Sequence, residues 1–378
     1  MTCFSAKSFL ILTLFISILL ISCKGKKQNS DLIEPETVLI LSPSENNPRN
    51  SEGDFINLND DRILFVYSHY TGESTSDHAP AYLAGRISED GGKTWSPDDE
   101  VILQNEGKMN VMSVSLVRLQ NGDIALFYLR KNSTEDCIPY MRISKNEAET
   151  WSEAVQCITD KEGYFVLNND RVIQLENGRL LMSVALHNTP GGQWNNQADL
   201  FCYYSDDNGQ TWTSSQKVPN TTDIVTQEPG VIEMKDGRIM MYIRASGGFQ
   251  QMSFSSDRGE NWSHIETSNI PSPLSPATIE KIPGTNDWLL VWNNNDGTNS
   301  ETKTHRTPLT VSISKNEGKS WENMKNLHID PNGWYCYTAI HFVNEKEILL
   351  GYCAGNRPAG TGLSITNITK FGKEWIYN

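Results

Sequence analysis

Short apolar stretches, joined in pairs across tight polar turns, recur along the chain from about residue 50 to its C-terminus. The pairs are Phe55–Leu58 with Ile63–Tyr67, Ser115–Leu119 with Ile124–Leu129, and Val172–Leu175 with Leu180–Leu186. They continue as Val231–Met234 with Ile239–Ile243, Thr278–Ile282 with Trp288–Trp292, and Ile340–Phe342 with Ile348–Tyr352. Turns such as Asn121-Gly122 and Asp236-Gly237 supply the positive-φ residues of a tight hairpin, so each pair predicts two antiparallel strands. Six hairpins in tandem, each followed by a further turn motif, predict an all-β chain: a six-bladed β-propeller with four antiparallel strands per blade.

The further motif occurs five times, at intervals of 50 to 61 residues: Ser88–Trp95, Ser144–Trp151, Ser205–Trp212, Ser255–Trp262 and Ser314–Trp321. Its pattern is Ser-x-Asp-x-Gly-x-Thr-Trp, with Asn146 and Asn316 at the acid position of two copies and Ala148 in place of one Gly. The acid side chain caps the N–H groups of its own turn, the Gly takes a positive φ, and the Trp covers the turn. These acids are structural. The repeat resembles the Asp-box of the sialidase superfamily. The last blade lacks a copy, so it closes the ring with the segment before Ser51 or with the tail Trp375-Ile376-Tyr377.

Lys7 and the apolar run Phe9–Ile21 form a signal-like segment too short to span a bilayer stably. Leu20-Ile21-Ser22-Cys23 resembles a bacterial lipobox, which implies lipidation of Cys23. The organisation predicted is a signal peptide over residues 1–22, a flexible tether over 23–40, and the propeller over 41–378. That makes a membrane-anchored lipoprotein on the periplasmic or cell-surface side, touching the membrane only through its N-terminal lipid. A net charge of −14 offers no basic face for nucleic acid. Cys137, Cys157, Cys202, Cys336 and Cys353 have no metal-ligand spacing and read as small buried hydrophobes.

Blades related by rotation point equivalent residues at one centre. Counting back from the end of each first strand places Glu52, Ser113, Asn169, Glu228, Pro276 and Cys336 there, with Tyr337 one further on. The ends of the second strands deliver His69, Arg130, His187, Arg244, Asn293 or Asn294, and Cys353 to the same face. Polar groups converging where apolar strands end make a candidate site.

Here the resemblance to sialidases becomes residue-specific. Thr226-Gln227-Glu228-Pro229-Gly230, running on to Arg244, is similar to the stretch that holds the nucleophile's acidic partner and a carboxylate-binding arginine. Arg306-Thr307-Pro308-Leu309 resembles the segment of another such arginine, and Tyr337-Thr338-Ala339-Ile340 that of the nucleophilic tyrosine. Asp77-His78 falls where the superfamily carries its acid/base aspartate. The resemblance thus implies a retaining, exo-acting glycosidase that releases sialic acid from glycans, with Tyr337, Glu228 and Asp77 catalytic and no cofactor required.

One feature departs from the superfamily. Glu52 stands where sialidases place their first carboxylate-binding arginine, and an acid there repels a substrate carboxylate. Arg49, Arg130 or Arg171 could compensate. Alternatively, Glu52, His78, Asn169, Asp170 and His187 suit a hydroxyl-rich neutral sugar, which leaves open a glycosidase or lyase of the same fold, or a non-catalytic glycan-binding protein.

Overall fold

The computed structural model describes residues 1, 2 and 33–378. The signal segment, Cys23 and most of the tether lie outside these residues. Among the described residues, all the regular structure is β-strand except one short helix, Lys373–Tyr377. All six predicted hairpins are present, with registers such as Phe55↔Phe65, Val231↔Met241 and Ile340↔Leu350.

Each hairpin extends into an antiparallel four-stranded unit. The first unit is Asn50–Asn57, Ile63–Tyr70, Ala81–Ser88 and Glu100–Leu103, in that order. The second and third share one continuous sheet, because Tyr164 bridges in parallel to Cys137. In the third unit the first strand is split into Tyr164–Val166 and Val172–Gln174, interrupted by Leu167–Arg171. The last unit takes Gly333–Phe342, Glu347–Asn356 and Thr366–Gly372, and its fourth strand is Glu36–Leu41 from the other end of the chain. The segment before Ser51 therefore completes the last sheet, while the tail forms the helix. Residues 36–40, read from the sequence as tether, belong to this strand.

Every third strand that precedes a turn motif ends on the motif's Ser: Ser88, Ser144, Ser205, Ser255 and Ser314. The turn chemistry is the same in all five. The Ser Oγ accepts the N–H of the Gly position at 2.8–2.9 Å, including Ala148, which holds φ 66°. Asp90 Oδ1 accepts the N–H groups of Lys93 and Thr94 at 3.0 and 2.9 Å, and Asn146 and Asn316 make the equivalent bond with an amide oxygen. Accepting these bonds holds Asp90 at about 2 and lowers Asp207 and Asp257, against the opposing cost of burial. A depressed carboxylate contributes stability above its unfolded value, near 4, that is lost as the pH falls through the folded value. The triple variant Asp90→Asn, Asp207→Asn, Asp257→Asn should therefore melt below wild type at pH 7, with the gap narrowing between pH 7 and pH 3. A melting curve at each pH checks this.

The core lies between the faces of neighbouring sheets, where Phe65, Phe127, Tyr203, Trp288 and Trp292 are buried. Burial of one such ring contributes about 1.5–3 kcal/mol. The first strand of each unit packs on that of the next, and Gly333–Phe342 packs in turn on Asn50–Asn57. Where these strands converge, polar side chains tie sheets together. Asp54 Oδ2 accepts Leu116 N–H at 2.7 Å, and Asp170 Oδ2 accepts Ile340 N–H at 3.0 Å. Asn169 donates to the carbonyls of Gly53 and Tyr337 at 2.9 and 3.1 Å.

Candidate active site

The inner strands do not run straight into the centre. Five residues at equivalent places have left-handed backbones: Glu52 (φ 57°), Ser113 (58°), Asp170 (54°), Glu228 (39°) and Tyr337 (54°). At Glu52, Ser113, Glu228 and Tyr337 the pairing register slips, which marks a β-bulge. A bulge spends an extra residue to re-aim one side chain, and positive φ in non-glycine residues gathers at functional sites. These four bulge residues all line one cavity of about 300 Å3.

Inside it, Tyr337 Oη donates to Glu228 Oε1 at 3.3 Å, and Arg244 Nη1 donates to the same oxygen at 2.6 Å. Among the described residues, Glu228 Oε2 and Arg306 Nη1 are buried without a partner, as is Arg244 Nε. The Arg306 guanidinium lies 5.3 Å from the centre of the Tyr337 ring and 5.1 Å from that of Trp334. Burial raises the Glu228 pKa, but Arg244 and Arg306 outweigh it, so the carboxyl titrates below its usual range and is ionised at neutral pH. Burial and the Glu228 carboxylate push the Tyr337 phenol up. A buried phenol facing an ionised acid is arranged for proton transfer between them.

Glu52 also lines the cavity, but both of its oxygens are engaged. Arg49 Nη2 donates to Oε1 at 3.0 Å and Ser113 Oγ to Oε2 at 2.9 Å. Arg49 is 1% exposed. It also donates to Asp77 Oδ1 at 2.5 Å, to Ser51 Oγ at 2.9 Å and to the Thr75 carbonyl at 3.2 Å. Desolvation moves Glu52 upward, while Arg49 and Lys131 help draw Asp77 downward against its own burial. Three carboxylates (Glu52, Asp77, Glu228) and three cations (Lys131, Arg244, Arg306) face the cavity. Arg49, bonded behind two of the acids, tips the balance toward an anion.

The structure brings Glu52, Asp77, Ser113, His187, Glu228, Arg244, Arg306 and Tyr337 to this cavity. Arg49 stands directly behind it. The other candidates do not line it. His78 is exposed, edge-on to Tyr164. Arg130 lies across the ring of Tyr140 in a neighbouring cleft. Asn169, Asp170 and Arg171 are structural links below the cavity; Arg171 donates to the Ala277 and Asp170 carbonyls at 2.6 and 2.9 Å.

Sequence reasoning missed Lys131, Tyr164, Asn168, Trp194 and Gln227. Lys131 follows Arg130, and alternation along a strand sends the two side chains to opposite faces, so an off-by-one count exchanges them. Lys131 Nζ donates to the Asp77 carbonyl at 2.7 Å. Trp194 stacks on His187 with centroids 4.5 Å apart and planes 6° apart, and is 49% exposed. Its signal was a Trp outside any turn motif, in a loop of Gly, Asn and Gln.

The BNR repeat-like domain family matches residues 86–349. A sialidase of Clostridium perfringens is 27% identical over 273 residues, covering 64% of this chain and 69% of the relative. A Dyadobacter fermentans crystal structure of unknown function superposes with TM-score 0.71 at 17% identity, over 90% of this chain and 99% of the other. The intramolecular trans-sialidase of Ruminococcus gnavus superposes with TM-score 0.69 at 15% identity, over 90% and 98%. The two structural likenesses are likenesses of fold. With its turn motifs, four-stranded sheets and a family match over more than half its length, the chain belongs to the BNR repeat-like domain family.

Proposed function

We propose that the protein is an exo-acting glycoside hydrolase of sialidase type, releasing terminal sialic acid or a related acidic sugar from glycans with retention of configuration. The observation that carries this reading is the Tyr337–Glu228 hydrogen bond in a cavity flanked by Arg244 and Arg306. The reading takes the sheets as a closed six-bladed propeller. It also takes residue Cys23 as the lipid anchor that holds the enzyme at a membrane.

A sialic acid carries its carboxylate on the anomeric carbon. A carboxylate nucleophile would meet repulsion there; a neutral phenol does not. Arg244 and Arg306 bind the substrate carboxylate through planar forks. As it pairs with Arg244, less positive charge is left to Glu228, whose basicity rises. Glu228 then takes the Tyr337 proton while Oη bonds to the anomeric carbon. The glycosidic oxygen leaves with a proton from Asp77; Asp77 next deprotonates the water that attacks the anomeric carbon, while Glu228 returns its proton to the departing Tyr337 oxygen.

The lowered Asp77 sets a pH signature. A general acid with a depressed pKa is protonated only at low pH. Turnover of an alkyl sialoside, whose leaving group needs a proton, should rise toward acid, whereas an aryl sialoside, whose phenolate departs unaided, should show a flatter acid side. The test is a fluorogenic aryl sialoside assayed beside a panel of neutral aryl glycosides. Saturable sialoside cleavage supports the reading; cleavage of a neutral glycoside alone supports a second one. That second reading, a glycosidase for an uncharged sugar, is favoured by one observation, the presence of Glu52 on the cavity wall.

A further inference from the structure

A second cavity, of about 330 Å3, adjoins the first. Consecutive residues separate them. Arg130 lines the second and Lys131 the first; Gly163 lines the second and Tyr164 the first. The dividing wall is the segment at Gly163–Tyr164, anchored by the Cys137 N–H on the Gly163 carbonyl at 3.0 Å. The loop carrying Trp194 contributes Pro190 to the far cavity.

Its floor is held in place. The Arg130 guanidinium lies 3.8 Å over the ring of Tyr140 and donates to its hydroxyl. Tyr140 Oη donates on to Gln156 Oε1 at 2.9 Å, and Gln156 Nε2 to the Ile158 carbonyl at 2.6 Å. Among the described residues, Nη2 is the one Arg130 nitrogen that makes a hydrogen bond, the carboxylates of Glu135 and Glu162 accept none, and that of Asp136 accepts the Asn132 amide at 2.9 Å. Lys161 is already paired with Asp160. Among the described residues that line it, Glu135, Asp136 and Glu162 outnumber Arg130, the cation not paired to an acid, which disfavours an anionic ligand. Acceptors for hydroxyl protons beside a planar donor stacked on an aromatic ring suit a neutral pyranose.

The position matters as much as the chemistry. Lys131 Nζ and Asn110 Nδ2 hold the Asp77 carbonyl at 2.7 and 2.8 Å, so Asp77 sits on the Lys131 side of the first cavity. In the function proposed above, on which this inference rests, the departing glycan is protonated by Asp77 and leaves over that side. We infer that the second cavity is a subsite for a neutral sugar residue in the remainder of the glycan, beyond the bond that is cut.

Two arms test it. The neutral tetrasaccharide lacto-N-tetraose is titrated into the protein by calorimetry, which needs no turnover. Saturable binding is expected, weakened at least about tenfold by Arg130→Ala and by Glu162→Gln and unchanged by Tyr337→Phe. In the kinetic arm, the same two variants should raise KM about tenfold for the sialylated tetrasaccharide, with kcat and aryl sialoside turnover unchanged. No saturable binding, or equal binding by wild type and Arg130→Ala, overturns the subsite. Failure to cleave any sialoside, with Arg130-dependent binding intact, instead overturns the hydrolase reading and leaves a glycan-binding cleft.

Discussion

Replacing Tyr337 by Phe is expected to lower kcat/KM for a sialoside by at least about a thousandfold and to leave thermal unfolding where it was. The phenolic oxygen is the only heavy atom removed, and its one hydrogen bond among the described residues is the 3.3 Å contact to Glu228. Phe keeps the ring against Arg306 and tolerates the bulge backbone as well as Tyr does. Glu228→Gln should cost about a hundred- to ten-thousandfold, because the amide still accepts from Arg244 but takes no proton. The two losses should not add, since both variants disable the same proton transfer. Wild-type turnover in either variant would contradict the assignment.

The second large effect falls on stability. Arg49→Met should destabilise the fold by about 3–5 kcal/mol, because it strands the buried Glu52 carboxylate without its cation. Glu52 is already displaced upward by burial, and loss of Arg49 moves it further. A carboxyl with a raised folded pKa favours the folded state below its unfolded value, and that contribution is lost as the pH rises through the folded value. The deficit of Arg49→Met should therefore be smaller at pH 5 than at pH 8. Adding Glu52→Gln should restore much of it, since the amide oxygen can still accept from Ser113. Denaturant titrations of both variants at the two pH values decide the matter. Equal deficits at both, with no rescue, would mean that Glu52 is not the residue left unpaired.

That pair also explains the sequence departure. Glu52 faces the cavity where the superfamily places an arginine, and read alone it argues against an acidic substrate. Arg49, three residues earlier, neutralises it from behind and also reaches Asp77. The sequence shows both residues but not that one guanidinium serves two acids, because Asp77 arrives from a separate loop.

The repeats were legible because hairpin and turn-motif chemistry is local, so each copy declares itself by composition. Rotational equivalence then carried Glu228, Arg244 and Tyr337 to one cavity, and the resemblance to sialidases added Arg306. Equivalence failed where the backbone breaks its own period. In the third unit the first strand is interrupted at Leu167–Arg171, so Asn169 and Asp170 turn under the cavity and bond to neighbouring sheets rather than face it. At the end of the second unit's hairpin, a slip of one residue exchanged Arg130 for Lys131. The far end of the ring was ambiguous for a different reason: a strand contributed by the opposite end of the chain, Glu36–Leu41, has no turn linking it to the sheet it completes.

Exposure to a fluorinated sialic acid bearing a good leaving group, followed by peptide mass mapping, tests the nucleophile directly. The fluorine slows hydrolysis of a glycosyl-enzyme so that it accumulates. The predicted result is one sugar added per protein, on the peptide containing Tyr337, and none on Tyr337→Phe. A protein that cleaves sialosides yet gains the sugar on Glu228 or Asp77, or gains none, would contradict it.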